Sequence, residues 1–273
     1  MKFIKLAGAL GAEVADVRLD QLSGEALKTL RAGFLEHGVL FVREQELSSG
    51  AFRDFARSMG EPVPYPFVKG LPDYAEIIEV KKLEHETVNF GGVWHSDTTY
   101  LPQPPKGTML IAREVPAFGG DTLFASQYAA YDALSAPMKR MLEGLSAVSS
   151  SAKADISRTR EDRVRDDGTS EANKELVAEH PVVRTHPETG RKSLYVNEAH
   201  TVSISDMPSA ESNALLHFLF QHQVRPEFTC RFTWRKGSLA YWDNRCVMHN
   251  PINDYHGQRR VMHRITLKGD EPR

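Results

Sequence analysis

The chain has 273 residues, of which 41% are hydrophobic and 26% charged, so it is neither disordered, collagenous nor coiled coil and can bury a sizeable core. With 34 Lys and Arg against 36 Asp and Glu, the formal charge is −2, which predicts no nucleic acid and no membrane as partner. The two cysteines, Cys230 and Cys246, lack CxxC spacing, so they support neither a disulfide scaffold nor a thiolate zinc site and favour a reducing, cytoplasmic setting.

In chain order, the sequence predicts a few helices among many short strands. Charges interrupt the apolar N-terminus before a signal peptide or membrane span can form, so we expect an unprocessed protein. Apolar residues at helical spacing predict helices over 24–38, through Phe52 to Gly60, over 127–145 and over 209–224, the last with Ser209 or Ser212 as N-cap. Apolar, β-branched or aromatic runs predict strands over 39–42, 76–80, 182–186, 192–197, 228–234 and 239–244.

This pattern indicates a mainly β chain with helices, of the α+β class. Because regular βαβ alternation is absent, we expect a β-sandwich or jelly roll with helical insertions, built as a single domain over 1–273. The stretch 149–179 is polar, charged and poor in aromatic residues, which is typical of a mobile surface insertion. At about 150–178 we therefore expect either a solvated loop or a lid that orders when substrate binds.

Two groups of polar residues are the candidates for the chemistry. In an extended segment His95 and Asp97 point to the same face and can chelate one ion, and His249 follows an apolar strand that ends in WDN. Arg260 and Arg264 share a face, and a buried guanidinium fork needs an anion such as a carboxylate. Two histidines and one carboxylate form the facial triad that suits Fe(II), although zinc in a hydrolase uses the same ligands.

The sequence resembles the taurine dioxygenase family of Fe(II)- and 2-oxoglutarate-dependent oxygenases, which includes alkylsulfate and aryloxyalkanoate dioxygenases. The resemblance covers nearly the whole chain. It rests on the ordered strings GALGAEVADVRL, HGVLFVREQELS, WHSD, PPKGTMLIAREVPAFGGDTLFAS, HPVVRTHPETGRKSLYVNE and WDNRCVMHNPINDYHGQRRVMHRITLKGD.

The resemblance implies a double-stranded β-helix, or jelly roll, and an enzyme that hydroxylates its substrate with Fe(II), 2-oxoglutarate and dioxygen. It matches the iron ligands to His95, Asp97 and His249. It matches the 2-oxoglutarate-binding residues to Thr122, Arg260 and Arg264, with Arg264 expected at the distal carboxylate and Arg260 near the iron end. Related halogenases have a small residue at the position of Asp97, so this aspartate favours hydroxylation over halogenation.

The substrate pocket departs from the taurine pattern. Tyr65 and Val68 occupy the positions of a histidine and a tyrosine that grip sulfonate, Gly91 replaces an asparagine and His200 replaces a phenylalanine. With Tyr100, these are the expected substrate-binding residues.

We therefore expect a small organic acid as substrate, a carboxylate such as an aryloxyalkanoate-like or amine-bearing acid, rather than taurine. An alkylsulfate or sulfonate is the second expectation, and a non-catalytic jelly roll that binds metal and 2-oxoglutarate is an alternative of another class. Family members are commonly homo-oligomers, so a dimer or tetramer is expected.

Overall fold

The computed structural model describes residues 1–153 and 175–273, and strands are its main regular elements. The strands are β1 (Lys2–Lys5), β2 (Ala12–Ala15), β3 (Val39–Val42), β4 (Pro62–Val63), β5 (Ile78–Lys82), β6 (Gly107–Glu114), β7 (Thr122–Ser126), β8 (Ser146–Ser150), β9 (Val177–Pro181), β10 (Val183–Thr185), β11 (Lys192–Leu194), β12 (Thr201–Ile204), β13 (Thr229–Phe232), β14 (Leu239–Asp243), β15 (Val247–Pro251) and β16 (Arg260–Leu267). The helices are α1 (Gly24–His37), α2 (Ser49–Met59), α3 (Gln127–Asp132), α4 (Ala136–Leu142) and α5 (Ser209–Gln223). The expectation of a mainly β chain with helices is confirmed, whereas the closed jelly roll stays a prediction.

Two sheets position the site. The large sheet has the order β1-β2-β3-β14-β6-β16-β4, and β5 also pairs with β16. The smaller sheet has the order β13-β7-β15 and is antiparallel. The remaining strands form the sheet β12-β8-β9 and the pair β10-β11.

Helices α1 and α2 cover one face of the large sheet. Successive strand residues point to opposite faces, and alternate positions of β3, β6, β14 and β16 reach this side: Leu40, Val42, Met109, Ile111, Leu239, Tyr241, Ile265 and Leu267. They pack against Phe34 of α1 and Phe52 of α2, and Phe34 stacks on Tyr241 with ring centroids 3.9 Å apart. Burying each large apolar side chain contributes roughly 1.5 to 3 kcal/mol relative to leaving it exposed.

The opposite face of the large sheet packs against the smaller sheet. Its intervening positions share one core with residues of β7, β13 and β15: Val39, Phe41, Leu110, Ala240, Trp242 and Met262 with Phe124, Phe232 and Val247. On β16, Arg260 and Arg264 lie two residues on either side of Met262, so the strand period places both between the sheets. Polar side chains thus enter an apolar interior, where each requires a partner.

The single helix predicted over 127–145 is wrong. The chain forms two short helices, α3 and α4, because Pro137 at the start of α4 cannot donate a backbone hydrogen bond. Ser135 is the N-cap of α4 and accepts from the backbone N–H of Met138. The apolar periodicity of the sequence continues across this break because both helices bury apolar residues, so it predicted a single helix.

The predicted caps of α5 are also wrong, although the helix itself is confirmed. Pro208 is the N-cap, and Ser212 Oγ instead accepts from the backbone N–H of Ile204 at 2.8 Å. The strand predicted over 76–80 begins two residues later, at Ile78. The other predicted strands each contain an observed one.

The insertion expected at about 150–178 begins and ends in strand backbone. Ser150 of β8 is the register partner of Val177 of β9, and the N–H of Ser151 donates to the carbonyl of Leu176 at 2.9 Å. The two edges of the predicted insertion are therefore joined by strand pairing. The rest of it, residues 154–174, lies outside the described residues, so the predicted lid at about 150–178 stays a prediction.

Cys230 and Cys246 are free and buried, and burial raises the pKa of the Cys230 thiol to about 12. Within 1–153 and 175–273, no helix combines the length and apolarity that crossing a bilayer requires.

Candidate active site

The three predicted metal ligands, His95, Asp97 and His249, meet in the interior. One ligand atom from each lies within 4.8 Å of the others, and His95 Nε2 is 3.7 Å from Asp97 Oδ1. Reciprocal backbone hydrogen bonds of 3.0 and 2.8 Å join His95 to His249. Two imidazoles and one carboxylate are the ligands of a facial triad, which suits Fe(II) and leaves coordination positions open.

The segment that carries the first two ligands is not the strand that their spacing predicted. His95 forms an isolated bridge with His249, and the chain then turns, with Thr98 at a φ of +46°. Such a φ is uncommon outside glycine, and the turn is held in part by His180, whose Nε2 donates to the carbonyl of Thr99 at 2.8 Å. A hydrogen-bonded turn, rather than strand alternation, places the carboxylate beside the imidazole.

The protonation states suit metal binding. His95 Nδ1 lies 2.7 Å from the carbonyl of Val93; a carbonyl only accepts, so Nδ1 carries the proton and Nε2 keeps its lone pair. Burial lowers the pKa of His95 and of His249 more than the charge of Asp97 raises it, which keeps both imidazoles neutral. Burial raises the pKa of Asp97, but the charge of Arg264, helped by the hydrogen bond from Thr108, holds that pKa well below its usual range.

The two predicted 2-oxoglutarate arginines lie on β16 in different surroundings. Arg264 Nη2 is 2.7 Å from Asp97 Oδ1, so Arg264 borders the metal-ligand candidates. Arg260 lies four residues away, about 13 Å along a strand, with its guanidinium carbon 5.6 Å from the ring centroid of Trp234. This placement does not fit the expected order, with Arg264 at the distal carboxylate and Arg260 near the iron end, because it puts Arg264 beside the metal-ligand candidates.

A small cavity contains the donors that a dicarboxylic acid requires. It is lined by Thr122, Arg260, Arg264 and two of the metal-ligand candidates. Among the described residues, no hydrogen-bond partner reaches Nε or Nη2 of Arg260, or Nε of Arg264. Thr122 Oγ1 accepts from Trp234 Nε1 at 3.0 Å and keeps its own proton to donate. A buried guanidinium without an anion is costly, so these residues fit 2-oxoglutarate.

A second, larger cavity of about 400 Å³ adjoins the metal-ligand candidates. His95, Asp97 and Arg264 line it, together with the exposed Lys153. The rest of its lining is mostly aromatic, apolar or small, and includes Val88, Phe90, Val93 and Ala199. This volume and lining suit a small organic molecule.

Four of the five predicted substrate residues, Tyr65, Gly91, Tyr100 and His200, line the larger cavity. Val68 is not in this lining. It is buried in an apolar cluster with Tyr65 and Tyr100, so the lining of this cavity does not support the prediction that Val68 contacts substrate.

The two tyrosines present neutral donors near Arg264. Tyr65 and Tyr100 have hydroxyl oxygens 3.4 Å apart, and the Arg264 guanidinium carbon lies 5.1 Å from the ring centroid of Tyr65. Burial raises the pKa of both phenols, so both keep their protons. Phenols and a guanidinium in one wall favour an anionic ligand.

His200 lines the cavity and also packs against the metal-ligand segment. Its Nδ1 lies 3.1 Å from Thr99 Oγ1, and its ring meets those of His95 and Tyr100 edge-on at 5.9 and 5.0 Å. Burial lowers the pKa of His200 to about 3. It is therefore a neutral wall residue.

Sequence reasoning missed three site residues. Thr108 Oγ1 donates to Asp97 Oδ2 at 2.6 Å, and Asn244 Nδ2 donates to Thr108 Oγ1 at 2.8 Å. A lone hydroxyl in the apolar string TMLIA and an amide in WDN were the available signals. Lys153, at the start of the insertion, carried no signal, because surface lysines are common in such segments.

A second buried group, His186, Asp243 and Cys246, also brings potential ligand atoms within 4.8 Å of one another. His186 Nδ1 accepts from two backbone N–H groups, so its Nε2 donates to Asp243 at 3.0 Å. Arg245 donates to both oxygens of Asp243 at 2.8 and 2.7 Å. The ligand atoms of His186 and Asp243 are already engaged by these hydrogen bonds, which indicates a structural role for the group.

Known proteins match along almost the whole chain. The family described as “Taurine catabolism dioxygenase TauD, TfdA family” matches residues 2–266. An alpha-ketoglutarate-dependent sulfate ester dioxygenase from Pseudomonas putida is 34% identical over 276 residues, covering 98% of this chain and 89% of the relative. An (S)-phenoxypropionate/alpha-ketoglutarate-dioxygenase from Sphingobium herbicidovorans is 32% identical over 271 residues, covering 97% and 94%. The crystal structure of a taurine dioxygenase from Burkholderia xenovorans matches with a TM-score of 0.82 at 33% identity and covers 99% of this chain and 92% of that one.

The family match agrees with the ligand set and the unpartnered arginines described above. The protein is a 2-oxoglutarate-dependent non-haem iron dioxygenase, an oxidoreductase that uses Fe(II), 2-oxoglutarate and dioxygen. The chain belongs to the taurine catabolism dioxygenase TauD, TfdA family.

Proposed function

We propose that this enzyme hydroxylates a small organic anion, a carboxylate such as an aryloxyalkanoate-like or amine-bearing acid, with iron held by His95, Asp97 and His249. The observation that carries the proposal is the 400 Å³ cavity, whose lining combines two of these ligands with the cationic side chains Arg264 and Lys153. Aromatic surface beside cationic groups suits an acid that carries a ring or a short apolar chain.

We assign 2-oxoglutarate to the smaller cavity. The unpartnered nitrogens of Arg260 and the hydroxyl of Thr122 are the donors for its distal carboxylate. Its 2-oxo acid end then lies toward Arg264 and Asp97, where it can chelate the metal. Bound iron supplies the activation of dioxygen.

The protein's own side chains supply the other interactions in the site. Neutral His95 and His249 offer lone pairs, and the charge of Arg264 lies 2.7 Å from the ionised Asp97. The protonated phenols of Tyr65 and Tyr100 donate toward an anion in the larger cavity. The apolar remainder of the lining excludes water from the reacting C–H bond.

The proposed reaction balances with one molecule each of substrate, 2-oxoglutarate and dioxygen. One oxygen atom enters a substrate C–H bond as a hydroxyl, and the other ends in succinate as 2-oxoglutarate loses CO₂. Where the hydroxylated carbon carries an oxygen, sulfur or nitrogen substituent, the hydroxyl proton moves to that atom, its bond to carbon breaks and a carbonyl compound forms.

A sulfate ester or sulfonate is the second candidate substrate. The 34% identity to the Pseudomonas putida sulfate ester dioxygenase favours it, and the same cations suit its charge. Taurine itself fits less well, because Tyr65 and His200 replace the residues expected of a taurine pocket.

The test is an anaerobic titration of the apo-protein with Fe(II) and 2-oxoglutarate, followed by an aryloxyacetate, an alkyl sulfate and taurine in turn. A visible charge-transfer band that shifts with the aryloxyacetate, followed in air by equal yields of succinate and oxidised product, supports the proposal. A shift with the sulfate alone selects the second candidate. Metal binding without any charge-transfer band contradicts the assignment of the two cavities to 2-oxoglutarate and substrate, and favours a protein that binds metal without catalysis.

A further inference from the structure

The two carboxylate oxygens of Asp97 have different neighbours. Oδ1 lies 3.7 Å from His95 Nε2 and 2.7 Å from Arg264 Nη2, so it faces the metal-ligand candidates. Oδ2 accepts a hydrogen bond of 2.6 Å from the hydroxyl of Thr108. A bond of this length to an ionised carboxylate is among the stronger hydrogen bonds in proteins. Oδ2 is thus held by a hydrogen bond, whereas Oδ1 forms an ion pair with Arg264 and faces His95 Nε2, on the side where a metal would bind.

Asn244 fixes the direction of the Thr108 hydroxyl. Trp242 Nε1 can only donate, and it lies 3.0 Å from Asn244 Oδ1, which identifies that atom as the amide oxygen. The amide nitrogen therefore points to Thr108 Oγ1 and donates to it at 2.8 Å. Because the hydroxyl oxygen already accepts from Asn244, its proton is directed to Asp97.

The residues that form this series of hydrogen bonds lie in or next to the central strands of the large sheet. Thr108 of β6 is the register partner of Trp242 of β14, and the N–H of Asn244 donates to the carbonyl of Lys106 at 3.0 Å. Thr108, Asn244 and Trp242 are at most 2% exposed. Water therefore does not compete for these hydrogen bonds, and the backbone holds their spacing.

We propose that Thr108, oriented by Asn244, is a positioning residue that keeps Asp97 a one-oxygen ligand. The inference rests on the proposed metal site. With iron bound, a facial triad would leave open positions for a chelating 2-oxo acid and for dioxygen. A second oxygen from Asp97 would compete for one of them, and the Thr108 hydroxyl prevents this by engaging Oδ2.

The test compares Thr108→Val, which keeps the side-chain shape but removes the hydroxyl, with Thr108→Ser, which keeps the hydroxyl. Metal affinity is measured by titrating Co(II) into each apo-protein. Affinity for 2-oxoglutarate is measured from the visible band of the anaerobic Fe(II) complex. We expect Thr108→Val to bind Co(II) within about threefold of the wild type and 2-oxoglutarate about tenfold more weakly, the size of effect of losing a hydrogen bond to a charged group. Thr108→Ser should match the wild type in both.

The decisive result is that Thr108→Val weakens the binding of 2-oxoglutarate more than the binding of Co(II). If Thr108→Val loses Co(II) and 2-oxoglutarate affinity in parallel, the hydroxyl only supports the local structure, and the inference is overturned; unchanged affinities overturn it as well. Should Thr108→Val not fold, Asn244→Ala frees the hydroxyl to rotate and must show the same divergence in a weaker form. A wild type that binds Co(II) but never gives the band refutes the proposed function itself, and the inference with it.

Discussion

Gly91 lies against His95 so closely that the absence of a side chain is a condition of the metal-ligand geometry. A Cβ atom at Gly91 would stand 2.9 Å from His95 Cε1 and 3.2 Å from Nε2, and Gly91 has a φ of +72°. Nε2 is the nitrogen left free for a metal, because Nδ1 is engaged by the carbonyl of Val93. The glycine that was expected to contact substrate therefore also shapes the space around a ligand atom.

Gly91→Ala should weaken metal binding. The new methyl group must displace the imidazole or the backbone, and a residue with a side chain is strained at this φ. We expect the affinity for Co(II) or Mn(II) to fall by about tenfold or more, as measured by titration of the apo-protein. Gly92→Ala is the matched control, because its Cβ would meet only Asn89 atoms at 3.8 Å. Equal metal affinities in the two variants would contradict this reading of Gly91.

Arg260→Met should stabilise the apo-protein while abolishing its response to 2-oxoglutarate. Within the described chain, Nε and Nη2 of Arg260 are buried without a hydrogen-bond partner, and burial lowers the pKa of this guanidinium. Replacing an unpaired buried charge by an apolar side chain of similar length removes a desolvation cost. We expect a higher Tm without ligand, and loss of the further rise that 2-oxoglutarate gives the wild type in the presence of Mn(II).

Arg259 provides the control for this experiment. It is the preceding residue, it is 43% exposed, and its Nε lies 3.4 Å from Glu114. Arg259→Met should leave both the Tm without ligand and the 2-oxoglutarate response within experimental error of the wild type. An Arg260→Met protein that is destabilised, or that still responds to 2-oxoglutarate, would show that this arginine has another anionic partner.

The sequence pointed to His95 with Asp97, and to Arg260 with Arg264, because each pair is local in the chain. His249 lies far from them in sequence, in the separate string after WDN, and only the fold brings it to His95. The placement of the two arginines differs from the expected order because it depends on which end of β16 approaches Asp97, and sequence periodicity fixes the face of a residue but not its position along the cavity.

Residues that act through another side chain were beyond sequence reasoning. Thr108 reaches Asp97 only because β6 and β14 are neighbours, so that a hydroxyl and an amide 136 positions apart come within 2.8 Å. The resemblance matched Val68 to a substrate-gripping position, but its side chain packs in an apolar cluster and is not in the cavity lining. Tertiary packing, which a local pattern does not encode, decides both placements.

Lys153→Met should impair substrate binding selectively. The lysine lines the larger cavity and its Nζ donates to the carbonyl of Thr201 at 2.7 Å, which leaves two further protons for a substrate anion. Because the side chain is exposed, the expected effect is modest: about a three- to tenfold higher KM for an organic acid, with the KM for 2-oxoglutarate unchanged.

Lys28→Met is the control for Lys153, since Lys28 lies on the surface of α1 and pairs with Glu25 at 3.5 Å. The KM for the acid should also rise with ionic strength in the wild type and less so in Lys153→Met, because salt screens an exposed charge. A KM that Lys153→Met leaves unchanged would remove this lysine from the proposed substrate site.

Asp243 should govern stability in acid. Burial raises the pKa of Asp243, but hydrogen bonds from Arg245 and His186 lower it by more than burial raises it, so the pKa is about 2. In an unfolded chain the pKa of an aspartate is about 3.9. Between these values the unfolded state binds more protons, so stability falls as the pH falls. The contribution, about 2 kcal/mol, is fully present above roughly pH 4 and is lost as the pH drops through about 2.

Asp243→Asn removes this titration and takes from the buried Arg245 one of its two carboxylate partners, since Glu188 remains 2.8 Å from its Nη1, which should cost about 1.5 to 3 kcal/mol at pH 7. Urea unfolding of both proteins from pH 7 down to pH 3 tests this: the stability difference between them should narrow below pH 4, because only the wild type loses the contribution of an ionised Asp243. Asp132→Asn is the control, since Asp132 is 63% exposed and 3.3 Å from Arg191, and it should follow the wild-type profile. A constant difference across this range would mean that Asp243 stabilises the fold by its shape and hydrogen bonds rather than by its charge.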